Sequence, residues 1–244
     1  MSEAVFGFQA VRSVLRDSPE RARCLYIQKG RRDARAQEVI GMARELGVRF
    51  QTQEGAFFRR KFGDENHQGV ALEIRAMELA SEADLLAHLA AIDNPLVLIL
   101  DEITDPRNLG ACLRSANGAG VDAVVLPSRN SAPISELVLR TAQGGAEQLF
   151  IAEVTNLSRT LKALKAQGIW LTGADGAAEV EHTSVDLTGP CGIVLGSEGR
   201  GLRRLTREHC DHLAAIPMLG SVSSLNVSVA CGVLLYEALR QRRN

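Results

Sequence analysis

The sequence predicts an α/β protein, and three observations lead there. After Pro95, short and continuous apolar runs alternate with segments of helical period, the pattern of a mostly parallel sheet covered on both faces. Ahead of it, three β-type runs separated by helical periodicity form a shorter α/β pattern. With 244 residues, 45% apolar and 23% charged, the chain has the length for one or two domains, and its composition is not that of a disordered, collagen-like or coiled-coil protein.

The elements follow in order. In the first part, strands are expected at Arg23–Ile27, Val48–Gln51 and Val70–Ile74, with helices at Ala10–Leu15 and Ala34–Leu46. From Ala76 to Asn94 there is no basic residue, but Glu78, Glu82, Asp84 and Asp93 are present, which predicts a linker. Pro95 then opens the strand Leu96–Leu100. A helix over Leu109–Gly118, a strand at Ala123–Leu126, a helix near Ser135–Ala142 and a strand at Leu149–Ala152 come next. A helix over Leu157–Lys165 and strands at Ile169–Thr172, Gly192–Leu195 and His212–Ile216 precede a closing helix, Ser224–Arg243. The division expected is therefore a first domain over 1–75, a linker over 76–94 and a second domain over 95–244.

Charge nearly cancels over the whole chain, at 28 basic against 29 acidic residues, so binding of nucleic acid by bulk charge is excluded. The total hides a split. Residues 1–75 carry 14 Lys+Arg and 10 Asp+Glu, net +4, leaving 14 and 19, net −5, for the remainder. Arg21, Arg23, Lys29, Arg31, Arg32 and Arg35 lie close together, and Arg59, Arg60 and Lys61 stand beside Phe57, Phe58 and Phe62. Cations beside rings are what base stacking uses, and equally what a solvated rim over a small aromatic core looks like. No apolar run approaches the length of a membrane span, and Glu3 interrupts any leader, so a cytoplasmic protein is expected. Five scattered cysteines without a C-x-x-C pair predict reduced thiols. No metal site is expected: His209-Cys210-Asp211-His212 in an extended segment would point to alternate faces.

Three loops follow predicted strands, where open α/β sheets place their ligands. The first, Asp101 to Gly110, breaks at Asp105-Pro106, with Asn108 expected to cap a helix that carries Arg114. The second, Gly196-Ser197-Glu198-Gly199-Arg200-Gly201, has three glycines that let a backbone approach a ligand closely, without a dinucleotide or P-loop fingerprint. The third, Ile216 to Asn226, enters a helix through small polar residues. Neither a Gly-x-Ser-x-Gly elbow nor a histidine paired in sequence with a nucleophile is present. Spacing alone reaches a polar ligand site at three loop ends and a basic N-terminal module.

Taken together, Asn108 with Arg114, Gly196-x-Glu198-Gly199, and Ile216-Pro217-Met218 through Ser224-Leu225-Asn226 resemble the three ordered motifs of the SpoU, or TrmH, family of RNA ribose 2′-O-methyltransferases in the SPOUT superfamily. The resemblance spans about residues 95–243. Val5 to Val11 and His67 to Ala71 resemble the L30e-like RNA-binding module that precedes this domain in one subgroup, with Gln9 where that module carries His or Asn. The resemblance implies a SPOUT domain with a trefoil knot, S-adenosyl-L-methionine as cofactor, a homodimer, and methylation of a guanosine ribose in the peptidyl-tRNA-binding loop of 23S rRNA. It further implies that main-chain groups of Gly196, Ile216 and Leu225 hold the cofactor. Arg114 would be the catalytic arginine, with Asn108, Glu198, Ser224 and Asn226 completing the motif positions. A tRNA 2′-O-methyltransferase and a non-catalytic RNA-binding or ribosome-assembly protein are the competing readings.

Overall fold

The structure, a computed structural model, describes residues 2–63, 66–75 and 77–243; Ala76, the expected first residue of the linker, lies outside them. The chain forms two compact units, Met1–Glu78 and Leu79–Asn244.

In the first unit, strands β1 (Ser2–Phe6), β2 (Ala22–Gln28), β3 (Arg49–Gln53) and β4 (Val70–Arg75) form a sheet in the order β1-β4-β2-β3. β4 is antiparallel to both neighbours, and β2 and β3 are parallel. Alternation along β2 sends Leu25 and Ile27 to a core shared with helices α1 (Phe8–Asp17) and α2 (Ala34–Glu45). Cys24 and Tyr26 go to the other face, where α3 (Gly55–Phe62) supplies the buried Phe58 and the half-buried Phe57 and Phe62. β1 and α3 are absent from the sequence reading. β1 is a short edge strand, and the α3 pattern was read only as cations beside rings.

The second unit carries strands β5 (Leu96–Leu100), β6 (Ala123–Pro127), β7 (Ile151–Val154), β8 (Trp170–Ala174), β9 (Cys191–Leu195) and β10 (His212–Ala214). Their order is β10-β8-β9-β5-β6-β7, and every pairing is parallel. Covering them are α4 (Glu82–Ala90), α5 (Pro106–Ala119), α6 (Glu136–Ala142), α7 (Leu157–Ala166), α8 (Arg204–His209) and α9 (Val227–Arg242). Strands β5, β6 and β9 are buried along their whole length, as a sheet covered on both faces requires. The chain builds outward from β5 through β6 to β7, and β9, β8 and β10 lie on the other side. β5 and β9 are thus neighbours whose following loops part from one another, the crevice where parallel sheets bind ligands.

Three boundaries correct the sequence reading. The middle of the segment expected to be a linker is α4, started by a reciprocal capping box of Ser81 and Asp84 and anchored through buried Leu85 and Leu89. Its acidic character is a favourable charge at a helix start as much as a solvated connection. Asn108 does not cap α5: Asp105 does, accepting from the Arg107 amide at 2.7 Å, with Pro106 at the first helical position and Asn108 inside the first turn. The last helix begins at Val227 and not Ser224, because the Asn226 side chain accepts from the Ser228 amide at 2.9 Å. At its other end, Arg242 donates to the carbonyls of Asn94, Pro95, Leu187 and Gly189, tying α9 to the entrance of β5 and the turn before β9.

Helices α5 and α6 meet at Gly110. A methyl there would lie 2.6 Å from Thr141 Cβ and 2.7 Å from the Val138 carbonyl oxygen, and backbone cannot yield as a flexible side chain can. Gly110→Ala is therefore expected to cost about 1–3 kcal/mol despite its better helix propensity, read as a lower midpoint in urea unfolding.

Candidate active site

The loops after β5 and β9, with the segment leading into α9, meet at one end of the sheet. Residues Asn108, Glu198 and Asn226 are brought together there although 90 and 28 positions separate them in sequence. The Asn108 amide nitrogen donates to Glu198 Oε1. The Asn226 amide nitrogen donates to the same oxygen at 2.8 Å and to Asn108 Oδ1 at 3.1 Å, closing a ring of three side chains. Because Asn226 Oδ1 also caps α9, each amide has one orientation that satisfies all its partners.

A cavity of about 410 Å³ opens beside this ring. Its walls include the expected Gly196, Glu198, Ile216, Ser224, Leu225 and Asn226. Gly196 is required by close approach. A Cβ there would overlap the Gly201 carbonyl carbon and oxygen and the Leu202 nitrogen, since Ser197 and Gly201 exchange backbone hydrogen bonds at 3.1 and 2.9 Å. Gly199 and Gly201 both have left-handed φ, at 77° and 66°. Sequence reasoning missed Ala174, Asp175 and Gly176 in the same walls, which also hold Met218 of the third loop. The first three directly follow or end β8, so the signal was their place at a strand's C-terminal end. Asp175 is held by Arg207 at 3.0 Å and accepts from the Ala177 amide at 2.9 Å.

A second, more polar cavity of about 190 Å³ is lined by Glu102, Thr104, Asp105, Asn108 and Arg200, and shares Ser197 and Glu198 with the first. Behind it sits a buried carboxylate. Asp101, 1% exposed at the end of β5, pairs with Arg203 at 2.6 Å and accepts from Thr206 Oγ1 at 2.7 Å. The same guanidinium reaches Glu102 at 3.0 Å, and Asp101 stabilises its cationic form. Glu102 also accepts from Asn130 at 3.0 Å and adopts a left-handed φ of 61°. The loops flanking the small cavity are thereby fastened to each other and to the sheet.

Arg114 stands apart. Six residues beyond Asn108 on α5, it lies about 120° around the helix, is exposed, lines neither cavity and has no side-chain hydrogen bond or ion pair among the described residues. The cysteines offer no activated nucleophile: all five are free, four are buried, and burial pushes Cys210 up to about 12. Among the described residues, no group of three His, Cys, Asp or Glu could hold a metal ion, and no helix is long and apolar enough to cross a membrane. His209 ends α8 and His212 opens β10, so this string is not one extended segment.

In the first unit, the rings that could stack on bases pack on one another. Phe58 is fully buried, and Phe57 and Phe62 contact Tyr26. Lys61 lies over the Tyr26 ring and bonds Glu73 at 3.1 Å, so it closes this cluster from outside. Arg21 is buried and donates to the Arg75 carbonyl. The cations left exposed and without a side-chain partner there include Arg23, Arg32, Arg35, Arg59 and Arg60.

Comparison with known proteins connects this geometry to a family. Residues 95–236 match the SpoU rRNA Methylase family, and residues 4–80 match the RNA 2′-O ribose methyltransferase substrate binding family. The chain is 45% identical over 242 residues to the 23S rRNA (guanosine-2′-O-)-methyltransferase RlmB of Shewanella oneidensis, covering 99% of this chain and 98% of that one. The fold matches the SpoU methyltransferase AviRb from Streptomyces viridochromogenes, solved in complex with the cofactor AdoMet, with a TM-score of 0.73 over 99% of this chain and 91% of that chain at 23% identity. The A. aeolicus TrmH/SpoU tRNA modifying enzyme is 30% identical with a TM-score of 0.57, covering 66% of this chain and 84% of its own. With the family match spanning the whole parallel sheet and Asn108, Glu198 and Asn226 converging at its crevice, the chain belongs to the SpoU rRNA methylase family.

Proposed function

We propose that this protein transfers a methyl group from S-adenosylmethionine to the ribose 2′-hydroxyl of a guanosine in 23S rRNA, in the peptidyl-tRNA-binding loop. One observation carries the substrate: likeness to a 23S rRNA guanosine-2′-O-methyltransferase at 45% identity runs through both units, over 99% of the chain. The tRNA reading has less support, because the tRNA enzyme covers only 66% of this chain.

The larger cavity suits the cofactor. Its volume falls in the range of small-molecule sites, its walls combine Ile216, Met218 and Leu225 with small and polar residues, and a Cβ at Gly196 would fill part of the cradle. Main-chain groups of Gly196, Ile216 and Leu225 hold the adenosine. S-adenosylmethionine supplies a methyl group already activated on a sulfonium. The chain's own task is alignment of the acceptor and stabilisation of the oxyanion that develops on it. Glu198, fixed by Asn108 and Asn226, and Ser224 orient the acceptor ribose beside the wall common to both cavities. Arg114, with a permanent charge and no internal partner, is available to the developing oxyanion and the adjoining phosphate. The family's trefoil knot belongs to this reading. So does a homodimer, supported by the exposed Val229 and Tyr236 on α9.

The test is transfer of labelled methyl to 23S rRNA lacking this modification, with the modified nucleotide mapped. Three variants refine it. Gly196→Ala should abolish S-adenosylmethionine binding in calorimetry while retaining native far-ultraviolet dichroism; normal affinity would remove this loop from the cofactor's cradle. Arg114→Ala should keep cofactor affinity while single-turnover transfer falls by about 10²-fold or more, with incomplete rescue by lysine, which lacks the planar fork. A fragment beginning at Leu79, which retains the α4 cap, should bind cofactor but hold rRNA much more weakly, as a filter-binding titration would read.

A further inference from the structure

The second unit is net acidic, yet its cations divide into two groups. Seven are committed internally, among them Arg159 to Glu82, Lys165 to Asp211 and Arg207 to Asp175. The others are exposed, with no ion pair or side-chain hydrogen bond among the described residues. Apart from Arg114, four of these belong to the segments that build or abut the small polar cavity. Arg200 lines it, and Arg107 lies between two of its wall residues, Asp105 and Asn108. Arg129 precedes Asn130, which bonds the wall residue Glu102, and the same loop is fastened by the Ala132 amide to the Ile103 carbonyl at 2.8 Å. Arg140 adjoins Thr141, at the point where α6 meets α5 too closely for a methyl group on Gly110.

Resting on the RNA substrate proposed above, we infer that Arg107, Arg129, Arg140 and Arg200 form a phosphate track on the methyltransferase unit, docking the RNA strand on either side of the acceptor nucleotide. The electrostatics favour this arrangement. The carboxylates of Glu102, Asp105 and Glu198 line the cavity and repel phosphate from its interior, while Arg200 lines it unpaired and Arg107, Arg129 and Arg140 stand on the helices and loop joined to its walls. A strand held at its phosphates by the rim therefore presents a sugar, and not a phosphate, to the interior. Arginine suits the rim, since its planar donor fork matches phosphate oxygens and no internal carboxylate neutralises these four. The track carries no base specificity and sets only register and affinity.

The test compares full-length Arg129→Gln/Arg140→Gln with wild type and with Lys162→Gln/Arg243→Gln. The control pair also removes two unpaired charges, but Lys162 is on α7 and Arg243 follows Arg242 beside the entrance of β5. Binding to an unmodified 23S rRNA transcript is measured across a salt series. The track variant should lose about tenfold in affinity near physiological salt, and its log–log salt slope should flatten by about 1.5, or about 0.7–0.9 per phosphate released. Its cofactor affinity and thermal midpoint should match wild type. Unchanged affinity and slope would overturn the track, as would an equal loss in the control pair, which would mean bulk charge alone. A wild type that binds the transcript but transfers no methyl would count against the proposed substrate, and the slopes would still decide the track.

Discussion

The site depends on one carboxylate oxygen. Glu198 Oε1 accepts from Asn108 and from Asn226, and those two amides also bond each other, so three segments distant in sequence hold a single geometry. The residue types are not interchangeable. A carboxylate only accepts, whereas an amide both donates and accepts, and the ring needs one of the first and two of the second. Asn226 carries a further obligation, because its oxygen starts α9. The orientation of the last helix and that of the polar ring are thus set by the same side chain, and a disturbance of either is felt by both.

That ring can form only because β5 and β9 are neighbours. Their register, Leu96 with Cys191 through Leu100 with Leu195, ends both strands at one level, so Asp101 and Gly196 leave the sheet side by side. Arg203 and Thr206 then hold the departing loops. Arg203 grips the buried Asp101 and the adjacent Glu102, and Thr206 supplies Asp101 with a neutral donor. Breaking such a pair leaves a desolvated charge, so the network specifies a position more than it adds net stability. Glu102 accepts a left-handed backbone there while holding Arg203 and Asn130.

Much of this was legible in the sequence, because the parallel sheet writes itself as bounded apolar runs. Leu96–Leu100 coincides with β5, and most of the strands and helices after it shift by only a few residues. What escaped did so for identifiable reasons. α4 was hidden by its acidic residues, although Leu85 and Leu89 carried the helical spacing. β1 is an edge strand at the chain's start, and α8 is a six-residue helix too short to show a helical period, ending on the first residue of the string His209 to His212. At the candidate site, glycine at 196 and the polar run into α9 pointed to the loops that line the larger cavity, and Gly196, Glu198, Ile216, Ser224, Leu225 and Asn226 share it. Asp175 was missed because a strand end without a polar motif gives no signal of what it faces. The phenylalanines of α3 illustrate the converse: the sequence permits stacking on bases or on one another, and only burial decides between them.

Arg114 shows that belonging to a motif and belonging to a cavity are different kinds of evidence. The ring residues can be understood within one chain, since each has its hydrogen bonds satisfied by the others. Arg114 has no such internal account. It is a full charge held on the rigid α5, exposed, with no carboxylate to neutralise it, in a unit where acidic residues outnumber basic ones. Arg203 and Arg207, only a short distance along the chain from Glu198, are both paired, whereas Arg114 shares its lack of an internal carboxylate with Arg107, Arg129, Arg140, Lys162, Arg200 and Arg243. The physical sense of an uncompensated guanidinium is an anion brought from outside. On the function proposed above, that anion is the developing 2′-oxyanion or its neighbouring phosphate, and the charge acts only once the nucleic acid is in place.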